Sequence, residues 1–205
     1  MLSKIVVFTL LIVPLGNLSA LVEFGGSYSY QKQRFGESRQ NSIIGKTYQG
    51  SLAIYLFNLT AIELNYSESE DTAQQNDTIP ITSTTISVTQ SSNIVKTTVY
   101  GIGIRQALAS RKAFLVPTIS FGYAKMFVTD GTDYTFVDST DGSTFFYRAD
   151  RQRRRDESVF AEFALQLRLT RRFSLKGSVK TVYPAFKGGM ARDNMKYLAG
   201  FTWYL

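Results

Sequence analysis

The chain has 205 residues, 23 basic against 16 acidic side chains for a formal charge of +7, 14% aromatics, and neither cysteine nor histidine. Without cysteine there are no disulfides, thiolate metal sites or sulfur nucleophiles. Without histidine the commonest general base, Ser-His hydrolysis and most zinc chemistry are gone. What remains is a binding module, a pore, a structural element, or an enzyme built from carboxylates and lysines.

Residues 1–20 read as a secretory signal peptide. Lys4 supplies the positive start, Ile5–Leu15 is apolar apart from Thr9 and Pro14, and Asn17-Leu18-Ser19-Ala20 ends in small residues suited to cleavage. Leu18 is bulky for the third position before a cut, so the scissile bond is not fixed by the pattern. The apolar run is too short to cross ~30 Å of hydrocarbon, and no cysteine follows it to carry a lipid. Removal of this leader takes one lysine and no acid, which lowers the charge to +6 over residues 21–205.

From there the chain alternates. Val22–Tyr30, Thr47–Leu56, Ala61–Ser67, Thr98–Gln106, Leu115–Ala124, Val159–Leu169, Phe173–Tyr183 and Lys196–Leu205 each place apolar residues at every second position. In Val159–Leu169 the odd positions are Val, Ala, Phe, Leu, Leu and Leu, while positions 162, 166 and 168 are Glu, Gln and Arg. A helical register would mix Glu162 and Gln166 among those leucines, so period two is the better description. The result is eight strands. Their connections alternate as well: about 31–46, 68–97, 125–157 and 184–195 are long and polar, whereas Phe57–Thr60, Ala107–Ala113 and Thr170–Arg172 are short. Long loops at one end and short turns at the other are the habit of a transmembrane barrel whose termini lie in the periplasm.

The placement of aromatics assigns the apolar face to lipid rather than to a soluble core. Tyr30, Tyr48, Tyr66, Tyr100, Tyr123, Tyr183 and Tyr197 sit on it at the long-loop end, and Phe24, Phe173, Phe201 and Trp203 at the other, with Phe57 and Phe114 in adjoining turns. Amphipathic rings at both rims of an apolar band suit two membrane–water interfaces. The opposite face carries Glu23, Gln49, Glu63, Asn65, Arg105, Glu162, Gln166, Arg168, Lys176, Lys180 and Lys196. Its charges, Glu23, Glu63, Arg105, Glu162, Arg168, Lys176, Lys180 and Lys196, are expected to form an ion-pair network in a lumen that side chains nearly fill. Glu162 and Lys176 are placed to pair across one hairpin. The two surplus bases motivate an alternative, a narrow gated pore favouring anions.

The chain ends Tyr197-Leu198-Ala199-Gly200-Phe201-Thr202-Trp203-Tyr204-Leu205, with apolar residues at every second position to the last. This ending resembles the C-terminal assembly signal of Gram-negative outer-membrane proteins, although Leu205 stands where that family usually has Phe. With eight strands and no further domain, residues 21–205 resemble the OmpA-barrel and OmpX/Ail-like outer-membrane proteins. The resemblance implies an all-β, eight-stranded antiparallel up-and-down barrel integral to the bacterial outer membrane, with periplasmic termini and extracellular loops. It implies that the assembly machinery reads the last strand through Tyr197, Phe201, Trp203 and Leu205. It also implies surface adhesion or resistance to host defence as the kind of role.

The enzymatic barrels of this architecture use a catalytic histidine, which this sequence lacks, so no catalytic residue is expected. Asp130, Asp133, Asp138 and Asp141 sit among turn signals and lack the spacing of a calcium loop, so they read as turn chemistry and neither metal nor cofactor is expected. Two loops look structured. Thr85–Thr89 and Ile94–Thr97 flank Gln90–Asn93 as one hairpin, and Tyr134–Val137 and Ser143–Tyr147 flank Asp138–Gly142 as another. Five arginines, Arg148, Arg151, Arg153, Arg154 and Arg155, fall within eight residues just before the sixth strand. Guanidinium groups bind phosphate bidentately, and lipopolysaccharide is the expected partner, beside membrane lipid, the assembly machinery and host or neighbouring surface molecules; nucleic acid is not. A structural subunit docked to other envelope proteins is the remaining alternative.

Overall fold

The computed structural model describes residues 21–36, 39–110, 112–184 and 194–205. The expected leader, 1–20, and most of the fourth long connection lie outside these residues.

Ten strands form one antiparallel sheet: β1 (Val22–Phe35), β2 (Asn41–Tyr55), β3 (Thr60–Gln75), β4 (Ile79–Pro80), β5 (Ile86–Ala107), β6 (Leu115–Asp138), β7 (Thr144–Arg148), β8 (Gln152–Arg168), β9 (Phe173–Pro184) and β10 (Met195–Tyr204). Eight of them close a barrel in meander order, β1-β2-β3-β5-β6-β8-β9-β10. The first and last pair through Glu23↔Tyr204 to Tyr28↔Ala199. β4 and β7 are short additions at the long-connection ends of β5 and β6, labelled the outer ends for that side of the barrel.

The pleat sorts side chains as the alternation predicts. On β8 Ser158, Phe160, Glu162, Ala164 and Gln166 are buried, while Phe163 and Leu165 between them are exposed on the outer wall. Tyr30, Tyr48, Tyr66, Tyr100, Tyr123 and Tyr197 are exposed in a belt toward the long-connection end, and Phe201 and Trp203 near the short turns. Phe57 and Phe114, 72% and 70% exposed, extend the second belt into those turns. A molecule with its polar residues buried and its large apolar residues bare has its core inverted relative to a soluble protein. Lipid is the solvent for the bare surface.

The wall is uneven in height. A membrane strand needs about 9–11 residues; β9 and β10 have 12 and 10, whereas β5 has 22 and β6 has 24. The surplus of β3, β5, β6 and β8 rises beyond the tyrosine belt as a tongue, flanked by β4 and β7. Three expected loops are therefore largely strand. The first shrinks to 36–40, the second to 76–85 around β4, and the third to 139–151 around β7. The expected hairpin about Gln90–Asn93 is absent: β5 runs straight through it, paired on both sides, with a bulge between Val88 and Gln90. The hairpin about Asp138–Gly142 is present, pairing Asp133↔Arg148 through Val137↔Thr144. Its turn uses Gly142 at φ 73°, where a β-carbon is unfavourable. Its Phe136 and Phe145 rings stack 5.2 Å apart.

Candidate functional site

Two regions concentrate charge: the lumen and the outer rim. In the turn-end half of the lumen Arg105, 1% exposed, is held by two carboxylates. Its Nη1 donates to Glu23 Oε1 at 2.7 Å, and its Nη2 and Nε donate to Glu63 Oε1 and Oε2 at 2.7 and 3.1 Å. Glu23 also accepts from Tyr55 Oη at 2.7 Å and from Gln166 Nε2 at 2.9 Å, and Gln166 Oε1 accepts from Tyr204 Oη at 2.7 Å. One layer up, Lys176 Nζ lies 2.6 Å from Glu162 Oε1, and Gln49 Nε2 donates to Glu162 Oε2 at 2.8 Å. In strand register Glu162 faces Lys180 and Gln166 faces Lys176, so the Glu162–Lys176 contact is diagonal across the hairpin.

This layer closes the barrel. Taking ions out of water costs several kcal/mol each unless geometry and hydrogen bonds compensate. Here Arg105 directs a planar fork at two acids whose remaining lone pairs meet phenol and amide donors. Tyr55 and Tyr204 are partners that the charge pattern did not mark. Their signal was available, since both occupy inward positions, off the face that carries the tyrosine belt.

Two bases expected in the network lie elsewhere. Arg168 folds onto the turn after β8, donating to the carbonyls of Thr170 and Arg171 at 3.0 and 2.9 Å. Lys196 stands near the outer mouth, 3.4 Å from Asp71, an acid that membrane-strand alternation did not reach because β3 continues past the expected boundary. With Arg168 and Lys196 removed, three acids face Arg105, Lys176 and Lys180, and the surplus that motivated an anion pore is gone.

At the outer rim the five arginines do not act as one cluster. Arg153 and Arg155 point outward from β8, the latter with its guanidinium 5.5 Å from the Phe127 ring centroid. Arg151 lies over Gly131, and Arg148 donates to Asp133 Oδ1 at 2.9 Å on the tongue. Arg154 points the other way, into the lumen mouth, 3.3 Å from Asp156. Strand register then adds residues that no sequence run had marked. Lys46, Lys96 and Lys125 are exposed on the same outward face, two, four and two residues above Tyr48, Tyr100 and Tyr123. Together with Arg153 and Arg155 they form a broken ring of cations immediately outside the tyrosine belt, interrupted on β3 by Glu68 and Glu70 and on β8 by Glu157, opposite Lys125.

The four loop aspartates are occupied within the protein. Asp130 accepts from Asn93 at 2.8 Å, Asp133 pairs with Arg148, and Asp138 and Asp141 accept backbone N–H groups of Thr140 and Ser143. Those N–H bonds hold the Asp138 and Asp141 carboxyls below the usual range. Among the described residues no three carboxylates gather as a metal site. Tyr197, Phe201 and Trp203 lie exposed on the outward face of the last strand, and Leu205, just beyond its end, is exposed too.

No protein-family model matches the sequence, and no curated protein does. Similarity appears in solved structures. The outer membrane protein OprG from Pseudomonas aeruginosa aligns over 91% of this chain and 96% of its own at a TM-score of 0.53, with 9% identity. The chain has the fold of an outer-membrane β-barrel. The N-terminal β-barrel domain of Pseudomonas aeruginosa OprF gives a TM-score of 0.48 with 15% identity, over 91% of this chain and 98% of that one. Ail, the attachment invasion locus protein of Yersinia pestis, gives 0.42 with 10% identity, over 92% and 100%.

Proposed function

We propose that this protein is a non-enzymatic surface barrel of the bacterial outer membrane, termini in the periplasm, that grips lipopolysaccharide at its outer rim and presents the tongue as its recognition element. The observation that carries the reading is the outward ring of Lys46, Lys96, Lys125, Arg153 and Arg155 directly above the tyrosines. Tyrosine rings mark the depth where hydrocarbon gives way to head groups, so cations two to four residues further lie at the level of lipid phosphates. Arg148 and Arg151 extend the basic surface onto the tongue. The tongue itself offers β7 as a free sheet edge, with Phe146 81% exposed beside it. Such an edge accepts a partner's strand. Under this reading Tyr197, Phe201 and Trp203 of the last strand, with Leu205 just beyond it, serve assembly into the membrane.

The packed layer around Arg105 weighs against the pore, since a conducting path would have to part a fully buried ion group. The test replaces Arg151, Arg153 and Arg155 together with serine and leaves the inward Arg154 in place. Lipopolysaccharide co-purifying with the barrel is expected to fall severalfold, and cells carrying the variant to become more sensitive to detergent. Unchanged values for both would overturn the lipopolysaccharide grip.

A further inference from the structure

Above the closed layer the lumen opens into a cup of about 330 Å³, at the small end of the roughly 300–1,000 Å³ usual for small-molecule sites. Its wall is two-sided. Val95, Val99, Met126, Val128, Val182 and Leu198 make one apolar arc from β5 through β6 to β9 and β10, backed by the buried Phe160 ring. Thr47, Gln49, Ser67 and Ser69 make a polar arc from β2 and β3. Water alone does not call for such an arc of valines inside a polar lumen, and toward the turn end the same strands carry Arg105, Ser120, Lys176 and Thr202 inward.

The charges of the cup favour an anion. Lys180 stands at its floor, 4% exposed, with its ammonium on Asn65 Oδ1 and 5.5 Å from the centroid of the Phe160 ring. Among the described residues no carboxylate comes within 4.0 Å of it, because Glu162, opposite in register, is taken by Lys176 and Gln49. Lys196 and Arg154 stand nearer the mouth, each in one loose ion pair, and Asp71 is the only acid among the described residues of the wall.

We infer that this cup is a binding site for a small amphipathic monoanion, a carboxylate on a compact apolar or aromatic body. The acid group would meet Lys180 and Lys196 with the hydroxyls of Thr47, Ser67 and Ser69, and the body would lie on the Val95–Val128 and Val182–Leu198 arc. The closed layer beneath makes it a dead-ended receptor site. It is independent of the lipopolysaccharide grip, which uses outward-facing residues only.

The test uses the full mature barrel in nanodiscs of zwitterionic phospholipid, with empty discs as blank, titrated by ¹⁹F NMR with 4-fluorophenylacetate and its neutral amide. Saturable line broadening by the acid beyond the blank is expected, with the amide at least tenfold weaker. Lys180→Met is expected to weaken the acid at least tenfold and leave the amide unchanged, folding being checked by heat-dependent gel mobility. If that variant does not fold, Lys196→Met, at the half-exposed mouth, is expected to weaken the acid threefold or more. Broadening no greater than in empty discs, equal binding of acid and amide, or undiminished acid binding by the folded lysine variant would each overturn the site. Inorganic phosphate competing as well as the organic acid would overturn its amphipathic character.

Discussion

The turn-end lumen and the outer rim both hold dense charge, yet the same residue types do different work in them. Arg105, 1% exposed, is enclosed by Glu23 and Glu63, with a contact of 2.7 Å to each. Arg148, 72% exposed, meets one carboxylate, and Arg154, 70% exposed, meets another at 3.3 Å. Bulk water and salt screen the rim pairs, so they add little stability. Burial, more than the number of charges, decides whether an ion pair holds the barrel together or adds little to it.

Arg105→Met should disturb this contrast most. It strands two buried carboxylates and is expected to cost about 3–5 kcal/mol, read from the urea midpoint of the refolded barrel. Adding Glu23→Gln and Glu63→Gln to that variant should recover much of the loss, because the uncompensated charges disappear with their partner. A loss below about 1 kcal/mol for the single variant would mean that water reaches this layer. Gly122→Val probes the neutral part of the same lumen. A β-carbon there would run into the Ile102 carbonyl, Gly103 Cα and the Phe160 ring, and overpacking of this kind costs about 1–3 kcal/mol. Correct gel mobility with an unshifted midpoint would show that both the β5 backbone and Phe160 give way.

At the rim the effects shrink. Lys96→Met removes an exposed pair with Glu70, 2.9 Å long. It is expected to change stability by only about 0.2–1 kcal/mol, vanishing in high salt. A salt-independent loss would contradict the screening argument. The smallest effect depends on pH. Asp77 accepts from Gln40 Nε2 at 2.6 Å and Asn41 Nδ2 at 2.7 Å, tying the first outer connection to the second. These amides favour its charged form and hold its carboxyl below the ordinary value of 3.8. The unfolded connection therefore takes up the proton first as the pH drops. The clamp is whole above about pH 3.8 and releases as pH falls through the lower folded value. The Asn41 side-chain amide signals should shift only in that acid window. A shift at neutral pH would rule out Asp77 as the group responsible.

Much of the wall was legible in the amino-acid sequence. Alternation marked the eight strands, the inward charges and the two aromatic belts because lipid and lumen demand opposite side chains at successive positions. Apart from the Asp138–Gly142 hairpin at its end, the tongue was not legible: beyond the membrane both faces of a strand meet water, hydropathy loses its period, and the pairing of β5 with β3 and β6 depends on backbone partners far along the chain. For the same reason Gln90–Asn93 resembled a turn and is mid-strand. The arginine run was visible as composition, but strand facing sends Arg154 inward and recruits Lys46, Lys96 and Lys125 from three other strands.

By itself, then, the sequence determined the solvent of each face, and with it the barrel, since period-two patterning is a local property. Only the tertiary structure decided which charges meet. Strand register and barrel closure bring Glu23 within 2.7 Å of Arg105, 82 positions away, carry Arg168 out of the network, and leave a cup above Lys180. Those distances follow from the shear and stagger of the closed sheet, which no single strand encodes.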